Sequence, residues 1–484
     1  MNPAGVRSTL PALIAASAVC LAACSLPGRL QPPKLERPTP LDTLQLAQGA
    51  WPKSTWWTVY DDPQLDQLMR IALRGAADLQ IARARVRSAE SAMRVTAAQA
   101  GLSVNGSAQW SRQRLSDNSI LPSDLLGIEW YSQADIGVQL GYQLDWWGKR
   151  RAAVAAAMGD LRAAAAQADA ARLAIQHAVA DNYFAWLADQ ARLTTAREAL
   201  AAQQRLTAIA QLRVRRGVDP PDQAQSALAQ LAAARERRDA LEGAARVRLA
   251  GMAALIGISV DRLPPLVARA LPAVAQRLPA DASLDLVARR PDIVASRWLV
   301  LAALRRTDVA RAEFLPDLSL TALAGLSSID MDRLFDGGSR IFELKPAVHL
   351  PIFNSGLLKS NYGASRAQLD TAIASYRGTV LAAVREVSSQ ALQAQVLAQR
   401  RRAQGEQLDA VQQLSASAAS RVRLGVSDAR ELLHRQLHLF SQRDRALQVH
   451  AQALATDLAL VRALGGGYRD SSDPQTAKAS ASTF

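Results

Sequence analysis

The sequence has few residues that could cross-link the chain or bind a metal through sulfur. Only two cysteines are present, Cys20 and Cys24, and both lie close to the N-terminus. No disulfide framework and no cysteine-based metal site is therefore available to the fold. Aromatic residues are also scarce, at 5% of the chain, whereas alanine-rich stretches are common. This composition favours long, closely packed helices over a sandwich with a bulky core.

The length and the charge of the chain describe a large folded protein. Its 484 residues are 49% hydrophobic and 21% charged, which excludes wholesale disorder. The net charge is +14. Because the arginines are scattered along the chain instead of forming one basic patch, we predict no nucleic-acid partner. We interpret the charge as solvated helix faces and contacts with a partner protein.

The N-terminus resembles an export signal. A basic residue precedes an uncharged apolar run, residues 10–23, that is too short for a permanent membrane span. The run ends in Leu21-Ala22-Ala23-Cys24, which resembles a bacterial lipobox. We therefore predict a signal peptide over residues 1–23, lipidation of Cys24 and, because Ser25 follows, a place in the outer membrane. An ordinary signal peptide with a chance cysteine is the alternative.

Motifs of the common catalytic sites are missing from the sequence. It has no phosphate-cradling Gly-Lys-Ser/Thr loop, no Gly-x-Ser-x-Gly elbow, no His-Glu-x-x-His pair and only five histidines. Carboxylate pairs such as Asp61 and Asp62 fall in turns, where helix capping explains them. We therefore expect no enzyme activity and no cofactor. A lipid-anchored envelope hydrolase would need a cluster of acid, base or nucleophile that the sequence does not offer.

The folded part of the chain repeats one order of elements: helix, strand, loop, strand, very long helix, turn, long helix. We predict a first structural repeat at residues 61–257 and a second at residues 284–467. A proline-containing connector, the equatorial region, joins them at residues 258–283. Repeated prolines predict an extended strap over residues 24–60, and a Ser- and Ala-rich composition predicts a disordered tail over residues 468–484.

The longest helix of each repeat exceeds the needs of a globular domain. These helices are predicted from Lys149 to about Arg213 and from Leu358 to about Val422, and neither contains proline. Roughly 65 helical residues reach about 100 Å. The last helix has a heptad seam from Leu433 to Val461 with one polar break at Asp444, which requires partner helices alongside. From the helices alone, a soluble coiled coil without a pore is the alternative.

Each repeat also contains a pair of strands in which apolar and polar residues alternate. Their length of about ten residues and their alternation are typical of barrel strands with one face towards lipid and the other towards water. A half-buried soluble sheet is the alternative. Four strands cannot close a membrane barrel, so strands that span the membrane must be shared between chains. The predicted strands are Leu102–Trp110, Asp135–Leu144, Leu318–Leu326 and Phe342–Leu350.

The turns between the long helices match each other in sequence. The first is Arg213-Val214-Arg215-Arg216-Gly217-Val218, and the second is Arg421-Val422-Arg423-Leu424-Gly425-Val426. Glycine in each turn permits the left-handed backbone that ends a helix. Two helical hairpins per chain follow from this match, and we expect both to point away from the strands.

These parts together resemble the outer-membrane factors of the TolC type, in particular the lipidated, NodT-like branch that serves RND-type tripartite efflux systems. The resemblance covers nearly all of the mature chain, and the order and spacing of its short motifs make it specific. The motifs are Trp56-Trp57, Asp62-Pro63-Gln64-Leu65, Leu144-Asp145-Trp146-Trp147-Gly148-Lys149, Arg289-Arg290-Pro291-Asp292-Ile293, Phe314-Leu315-Pro316, Pro351-Ile352-Phe353 and Leu464-Gly465-Gly466-Gly467.

The resemblance implies the fold class and the assembly. The fold is expected to be mainly α with membrane β: a long α-helical hairpin barrel plus a four-stranded contribution to a trimeric, twelve-stranded transmembrane β-barrel, with internal duplication. Three chains would form a passive duct for drugs or other small toxic compounds. A periplasmic adaptor and an inner-membrane pump of the RND type would supply substrate and force. An outlet for type I protein secretion and a non-pore structural lipoprotein are the alternatives.

The resemblance also assigns candidate site residues. It places an acidic pair that narrows the pore a little past the second turn, at the positions of Glu431 and His434, so one acid is kept and the other is replaced. Glu431, His434 and His438 have a spacing that metal ligands can use, although we expect no metal. Our hypothesis is that His434 charging alters conductance between about pH 5 and 8. The candidate adaptor contacts are Arg215, Arg216, Gly217, Val218, Arg421, Arg423, Gly425 and Val426.

Overall fold

The computed structural model describes most of the chain between its two ends. The described residues are 47–116, 127–274, 277–279 and 289–470, with the single positions 27, 28, 30, 31, 33 and 118. The predicted signal peptide, the lipidation site Cys24 and most of the predicted tail lie outside the described residues. Among the described helices, none combines the length and the apolarity that crossing a membrane requires.

The described elements follow the same order in both halves of the chain. The paired long helices have equal lengths, 67 residues each, and the helices after them have 36 and 35 residues. The predicted internal duplication is therefore confirmed. In chain order the elements are β1 (Ala47–Gln48), α1 (Pro63–Gly75), α2 (Ala77–Gln99), β2 (Ser103–Arg114), β3 (Trp130–Leu144), α3 (Lys149–Arg215), α4 (Pro221–Ile256), β4 (Arg277–Leu278), α5 (Pro291–Ala312), β5 (Asp317–Ser328), β6 (Arg340–His349), α6 (Leu357–Arg423) and α7 (Ala429–Ala463).

The four long strands exist where they were predicted, but the first pair extends further. Pairing between β2 and β3 continues to Arg114 and Trp130, beyond the predicted limits Trp110 and Asp135. The additional residues are mostly polar and alternate less clearly. Backbone hydrogen bonds between neighbouring strands hold them in the sheet, and a pattern based on hydrophobicity does not detect such bonds.

The repeated order of elements predicts one helix at the start of the first repeat, but the structure has two helices in that segment, residues 63–75 and 77–99. The segment forms two helices, because Ala76 between them has a ψ angle of 128°. Close packing against the end of α4 accompanies this break. Gly257 ends α4 with a φ angle of +78°, and a Cβ atom there would overlap the carbonyl oxygen of Gly75. The break is thus associated with a contact between residues far apart in the sequence.

The chain divides into two compact units. The sheet unit includes residues 87–163 and 296–376, and so contains the sheet β2-β3-β5-β6 together with most of α5. The helical unit includes residues 164–295 and 377–470, with the segment 47–86. It contains α4, α7, most of α3 and most of α6.

The Trp-Trp motif near the N-terminus forms part of the core of the helical unit. Trp56 and Trp57 are 5% and 7% exposed, and they belong to a cluster with residues of α1, α3 and α4. Asp62 accepts a hydrogen bond from the backbone N–H of Gln64 at 2.9 Å, which caps α1. Its other carboxylate oxygen accepts a hydrogen bond from the hydroxyl of Tyr183 on α3 at 2.7 Å. Asp62 therefore fixes the start of α1 against α3.

Helix α7 lies between α3 and α6 in the helical unit. Leu433 on α7 packs against Ala202 and Leu206 on α3. On the other side, Gln404 on α6 donates a hydrogen bond to Gln442 on α7 at 3.2 Å. Because α7 has neighbouring helices on two sides, it buries side chains in addition to those of its predicted heptad seam. Buried residues outside the predicted seam include Leu439, Gln442, Val449, Ala453, Thr456, Asp457 and Leu460.

Candidate functional site

In the sheet formed by the four long strands, even-numbered residues pair with even-numbered residues and odd-numbered residues pair with odd-numbered ones. All three pairings are antiparallel, in the order β2-β3-β5-β6. Val104 pairs with Leu140, Leu140 with Ala322, and Ala322 with Leu344. Successive residues of a strand point to opposite faces. All even-numbered positions of the four strands therefore lie on one face, which we call the even face, and all odd-numbered positions lie on the other, the odd face.

The two faces differ sharply in chemistry. The even face is mostly apolar, whereas the odd face is mostly polar, as the alternation in the sequence predicts. Apolar residues of the even face include Val104, Ala108, Trp110, Trp130, Ile136, Val138, Leu140, Tyr142, Leu144, Leu318, Leu320, Leu326, Phe342, Leu344 and Val348. Polar residues of the odd face include Asn105, Ser107, Gln109, Gln113, Gln133, Asp135, Gln139, Gln143, Ser319, Thr321, Ser327, Glu343 and Lys345.

Side-chain contacts agree with this division into faces. On the odd face, the hydroxyl of Ser327 donates a hydrogen bond to Asp135 at 2.6 Å. Farther along that face, the hydroxyl of Tyr131 donates to Gln113 at 3.1 Å. The odd face thus carries its own hydrogen-bonded pairs, and such pairs suit a surface in contact with water.

The apolar side chains of the even face are largely exposed. Phe342 is 89% exposed, Leu344 is 68% exposed and Trp110 is 59% exposed. A contiguous apolar patch of this kind marks a surface for lipid or for another protein. The strands have 10 to 15 residues, enough for the roughly nine to eleven residues that cross a bilayer.

The outer strands of this sheet each have one neighbour. Strand β2 pairs with β3 and strand β6 pairs with β5, so each presents a second edge with unused backbone groups. Open edges of this kind pair readily with another chain. The edges and the exposed even face together describe a sheet that is incomplete as a single copy.

The two hairpin turns have the same backbone structure. The N–H of Val218 donates to the carbonyl oxygen of Arg213 at 2.9 Å, and that of Val426 donates to Arg421 at 3.0 Å. A hydrogen bond between residues five apart in the sequence is typical of a Schellman motif, in which one left-handed residue ends the helix. The left-handed residues are Gly217, with a φ of +68°, and Gly425, with a φ of +70°.

The first turn is braced by an ion pair that the sequence prediction missed. The guanidinium of Arg213 donates to both carboxylate oxygens of Asp219, at 2.7 and 2.8 Å. Two parallel bonds of this type fix geometry as well as charge. The spacing of six residues across a predicted turn was the signal that could have revealed this pair. The exposed side chains of this turn are Arg215, Arg216 and Val218.

The second turn carries a different set of bonds. Asp428 caps α7 by accepting hydrogen bonds from the backbone N–H groups of Arg430 and Glu431, at 2.7 and 3.2 Å. The guanidinium of Arg421 lies 2.5 Å from the carboxylate of Glu431. Ser427 donates a further hydrogen bond to Glu431. The remaining exposed side chains of this turn are Arg423, Leu424 and Val426.

Charges of the two turns influence each other. The bond from Arg213 lowers the pKa of Asp219, and Arg430 from the second hairpin lowers that pKa further. The hydrogen bond to Asp219 raises the pKa of Arg213, and Asp428 of the second hairpin contributes to the same effect. The charged side chains of the two hairpin turns are therefore close enough to interact.

The candidate gate residues Glu431 and His434 line one open cavity of about 670 Å³ on α7. The hydrogen bond from Ser427 lowers the pKa of Glu431, and the charges of Arg421 and Arg435 act in the same direction. His434 is exposed. His438 contacts Gln442, with 3.2 Å between the two side-chain nitrogens. Within the described residues, no group of three or more His, Cys, Asp or Glu side chains could hold a metal ion.

Comparison with known proteins places the chain in a family. The family model described as "Outer membrane efflux protein" matches residues 68–258 and 284–466. The chain belongs to the outer membrane efflux protein family. The multidrug resistance outer membrane protein MdtP of Escherichia coli is 31% identical over 88% of this chain and 89% of its own length. This membership confirms the family that the sequence motifs predict.

Solved structures of outer membrane proteins share the fold of this chain. The outer membrane protein VceC of Vibrio cholerae is 28% identical, with a TM-score of 0.78 over 87% of this chain and 100% of that structure. The CmeC outer membrane channel of Campylobacter jejuni has a TM-score of 0.83 at 20% identity, over 95% of this chain and 98% of its own. By family and fold, this protein is a channel subunit for efflux at the outer membrane.

Proposed function

We propose that three copies of this efflux channel subunit assemble into one passive duct that exports drugs or other small toxic compounds. Each copy would give four strands to a twelve-stranded barrel, with the even face towards lipid and the odd face towards water. The observation that carries this proposal is the exposed apolar face, which ends in two open strand edges. Neighbouring copies would complete those edges, as a membrane requires. The relative MdtP is a multidrug resistance outer membrane protein, which supports the drug-export part of the proposal.

The proposal includes two partners, because the sequence offers no energy source. A periplasmic adaptor would bind the paired hairpin turns, and an inner-membrane pump of the RND type would supply force and substrate. Exposed arginines beside exposed valines support a docking surface, since arginine and apolar side chains together are common at protein interfaces. The proposed contacts are Arg215, Arg216, Gly217, Val218, Arg421, Arg423, Gly425 and Val426.

Glu431 and His434 are proposed to ring the pore near these turns, as three copies of each. Arg421 is then both a candidate adaptor contact and the partner of Glu431. Adaptor binding that engages Arg421 would release Glu431 and loosen the second turn. Identical conductance of the wild type and His434→Ala between about pH 5 and 8 would contradict a role for His434 as the titrating group.

The domain plan and the lipid anchor also stand as proposals. We propose repeats at residues 61–257 and 284–467, a connector at residues 258–283, a strap at residues 24–60 and a tail at residues 468–484. Residues 1–23 would be removed, and acylated Cys24 would hold the strap to the outer membrane. Mass spectrometry of the mature N-terminus, compared with Cys24→Ala, tests the anchor. We propose no catalytic activity for the chain.

Single-channel conductance in planar bilayers, with the oligomeric mass measured on the same detergent-extracted sample, tests the duct. A trimer with small or flickering openings is the expected result. A monomer or dimer without conductance, even after Glu431 and His434 are replaced by Ala, would favour the structural lipoprotein instead. Drug accumulation in cells that lack this chain separates drug efflux from a secretion outlet, because a protein-secretion outlet would leave drug accumulation unchanged.

A further inference from the structure

Three arginines stand apart from the rest of the even face. Within the four long strands, all of which are described, Arg112, Arg114 and Arg340 are the only charged residues at even positions. All three are positive and exposed. The odd face, by contrast, mixes Asp135 and Glu343 with Lys345. We call the three even-face residues the rim arginines.

The rim arginines lie at one end of the sheet. Arg112 and Arg114 are at the end of β2, and Arg340 begins β6. These strand ends connect to the β2-β3 and β5-β6 loops, whereas the opposite ends lead to α2, α3, α5 and α6. If the helices extend into the periplasm, as the proposed function requires, the rim arginines face the outer leaflet of the membrane.

On both outer strands an aromatic residue lies two positions from an arginine. Trp110 is two positions from Arg112, and Phe342 is two positions from Arg340, each on the same face and farther from the loops. The guanidinium carbon of Arg112 also lies 5.7 Å from the centroid of the Trp130 ring. Aromatic rings of membrane barrels sit at the boundary between hydrocarbon and head groups. The arginines next to them therefore sit at the depth of charged head groups.

The charges at this rim are only partly compensated by the protein. Glu129 accepts a hydrogen bond from Arg114 at 2.8 Å. Within the described part of the chain, the Arg340 side chain has no hydrogen-bond or ion-pair partner, and the Arg112 side chain contacts only the Trp130 ring. Guanidinium groups form paired, charge-assisted bonds with phosphate oxygens. A face that meets lipid, with positive charge at head-group depth only, is complementary to a phosphorylated lipid.

We propose that the rim arginines bind the phosphate groups of an outer-leaflet glycolipid, the lipid A part of lipopolysaccharide. This inference rests on the proposed trimeric duct. In that trimer β6 of one copy adjoins β2 of the next, so Arg340 from one copy and Arg112 with Arg114 from its neighbour form each site. One trimer would hold three such sites, each at a boundary between copies.

Native mass spectrometry of the detergent-purified full chain tests this inference. The probes are diphosphorylated lipid A, the same lipid after enzymatic removal of both phosphates, and inorganic phosphate as a competitor. The test variant is R112Q/R114Q/R340Q, and the matched control is R85Q/R87Q/R385Q, which removes equal charge from exposed helix positions. We expect affinity for lipid A to fall about tenfold or more in the test variant and to change less than about twofold in the control.

A charge-preserving variant separates geometry from charge. R112K/R114K/R340K keeps three point charges but loses the planar fork, so its affinity should fall between those of the wild type and the glutamine variant. If the glutamine triple variant does not assemble, Arg340→Gln alone serves, with an expected loss of about threefold or more.

Several outcomes would overturn the inference. These are equal affinity of the rim variant and the wild type, equal binding of the dephosphorylated lipid, and complete displacement of lipid A by millimolar inorganic phosphate, which would indicate a free-anion site. Oligomeric mass and conductance of the same samples distinguish this failure from failure of the duct. A conducting trimer with any of these results contradicts the lipid site alone, whereas a non-conducting monomer contradicts the duct and the site with it.

Discussion

Asp444 on α7 accepts a hydrogen bond from the Nε of Arg192 on α3, with 2.8 Å between the two atoms. The other carboxylate oxygen of Asp444 is ion-paired with Arg237 on α4. Asp444 is 4% exposed, and a buried charge is costly unless it is paired and hydrogen-bonded. One carboxylate thus joins three helices at the point where the heptad seam of α7 is interrupted.

Replacing Asp444 with Leu restores the heptad seam but should destabilise the protein. We expect the free energy of unfolding to fall by about 2 kcal/mol, because Arg192 and Arg237 lose their carboxylate partner. Asp189, at 3.8 Å from Arg192, would still compensate part of the charge of Arg192. Urea unfolding followed by circular dichroism at 222 nm measures the change. Asp239→Leu at an exposed ion pair is the control, and stability of Asp444→Leu equal to that of the wild type would show that the seam outweighs the ion pairs.

Gly425→Ala should weaken the second hairpin turn. The φ angle of +70° at Gly425 disfavours any residue with a Cβ atom, at an expected cost of about 1 kcal/mol. Gly405→Ala in α6 is the matched control, because an added Cβ has open space at both positions. In a helix interior this change should stabilise by roughly 0.5 to 1 kcal/mol. Hydrogen exchange of the turn amides compares the two variants, and equal protection in both would contradict the argument.

Val138→Lys and Gln139→Lys test the assignment of the two faces at neighbouring positions of β3. Val138 lies on the even face and Gln139 on the odd face. A charge on the lipid face near the middle of the membrane costs about 2–4 kcal/mol, whereas a charge towards water is tolerated. We expect little folded Val138→Lys in the outer-membrane fraction and a normal amount of Gln139→Lys. Equal amounts of both variants would mean that the faces are assigned incorrectly.

Acid should loosen the second turn through Glu431. Hydrogen bonding from Ser427 lowers the pKa of Glu431, with help from Arg421 and Arg435. A lowered carboxyl pKa means that the contact is present at neutral pH and is lost as pH falls through that value. The Arg421 contact should therefore persist above the ordinary carboxyl range and weaken below about pH 4.

Conductance recorded from pH 7 downwards measures this effect. We expect a rise in conductance below about pH 4 in the wild type and no such step in Glu431→Gln, which lacks the titrating carboxyl. Asp409→Asn, at an exposed acid of α6, is the control and should retain the step. If Glu431→Gln shows a conductance step of unchanged size, a titratable group other than Glu431 causes that step.

Local patterns predicted the elements well, and contacts between distant residues explain the exceptions. Alternation gave the four strands, and the absence of proline with repeated glycine turns gave the hairpins. The break at Ala76 was missed, because it accompanies packing against Gly257, far away in the sequence. The pair Arg213–Asp219 was missed as well, because bidentate geometry depends on how the chain turns.

For the candidate sites too, the sequence predicted the features that depend on neighbouring residues and missed those that depend on contacts between side chains. The matching turn sequences identified Gly217 and Gly425, because a left-handed helix end favours glycine. The sequence alone did not reveal that Glu431 is already bonded to Arg421 and Ser427. Nor did it reveal that Asp444, the polar break in the seam, has arginine partners from α3 and α4.

The sequence by itself determined the duplication, the long helices and the two-sided character of every strand, since each depends on residues close together in the chain. Only the tertiary structure decided that all four apolar strand faces coincide. A register shift of one residue would move every side chain of a strand to the opposite face. The observed register pairs even positions with even positions across the whole sheet, and so places the rim arginines on the face that we assign to lipid.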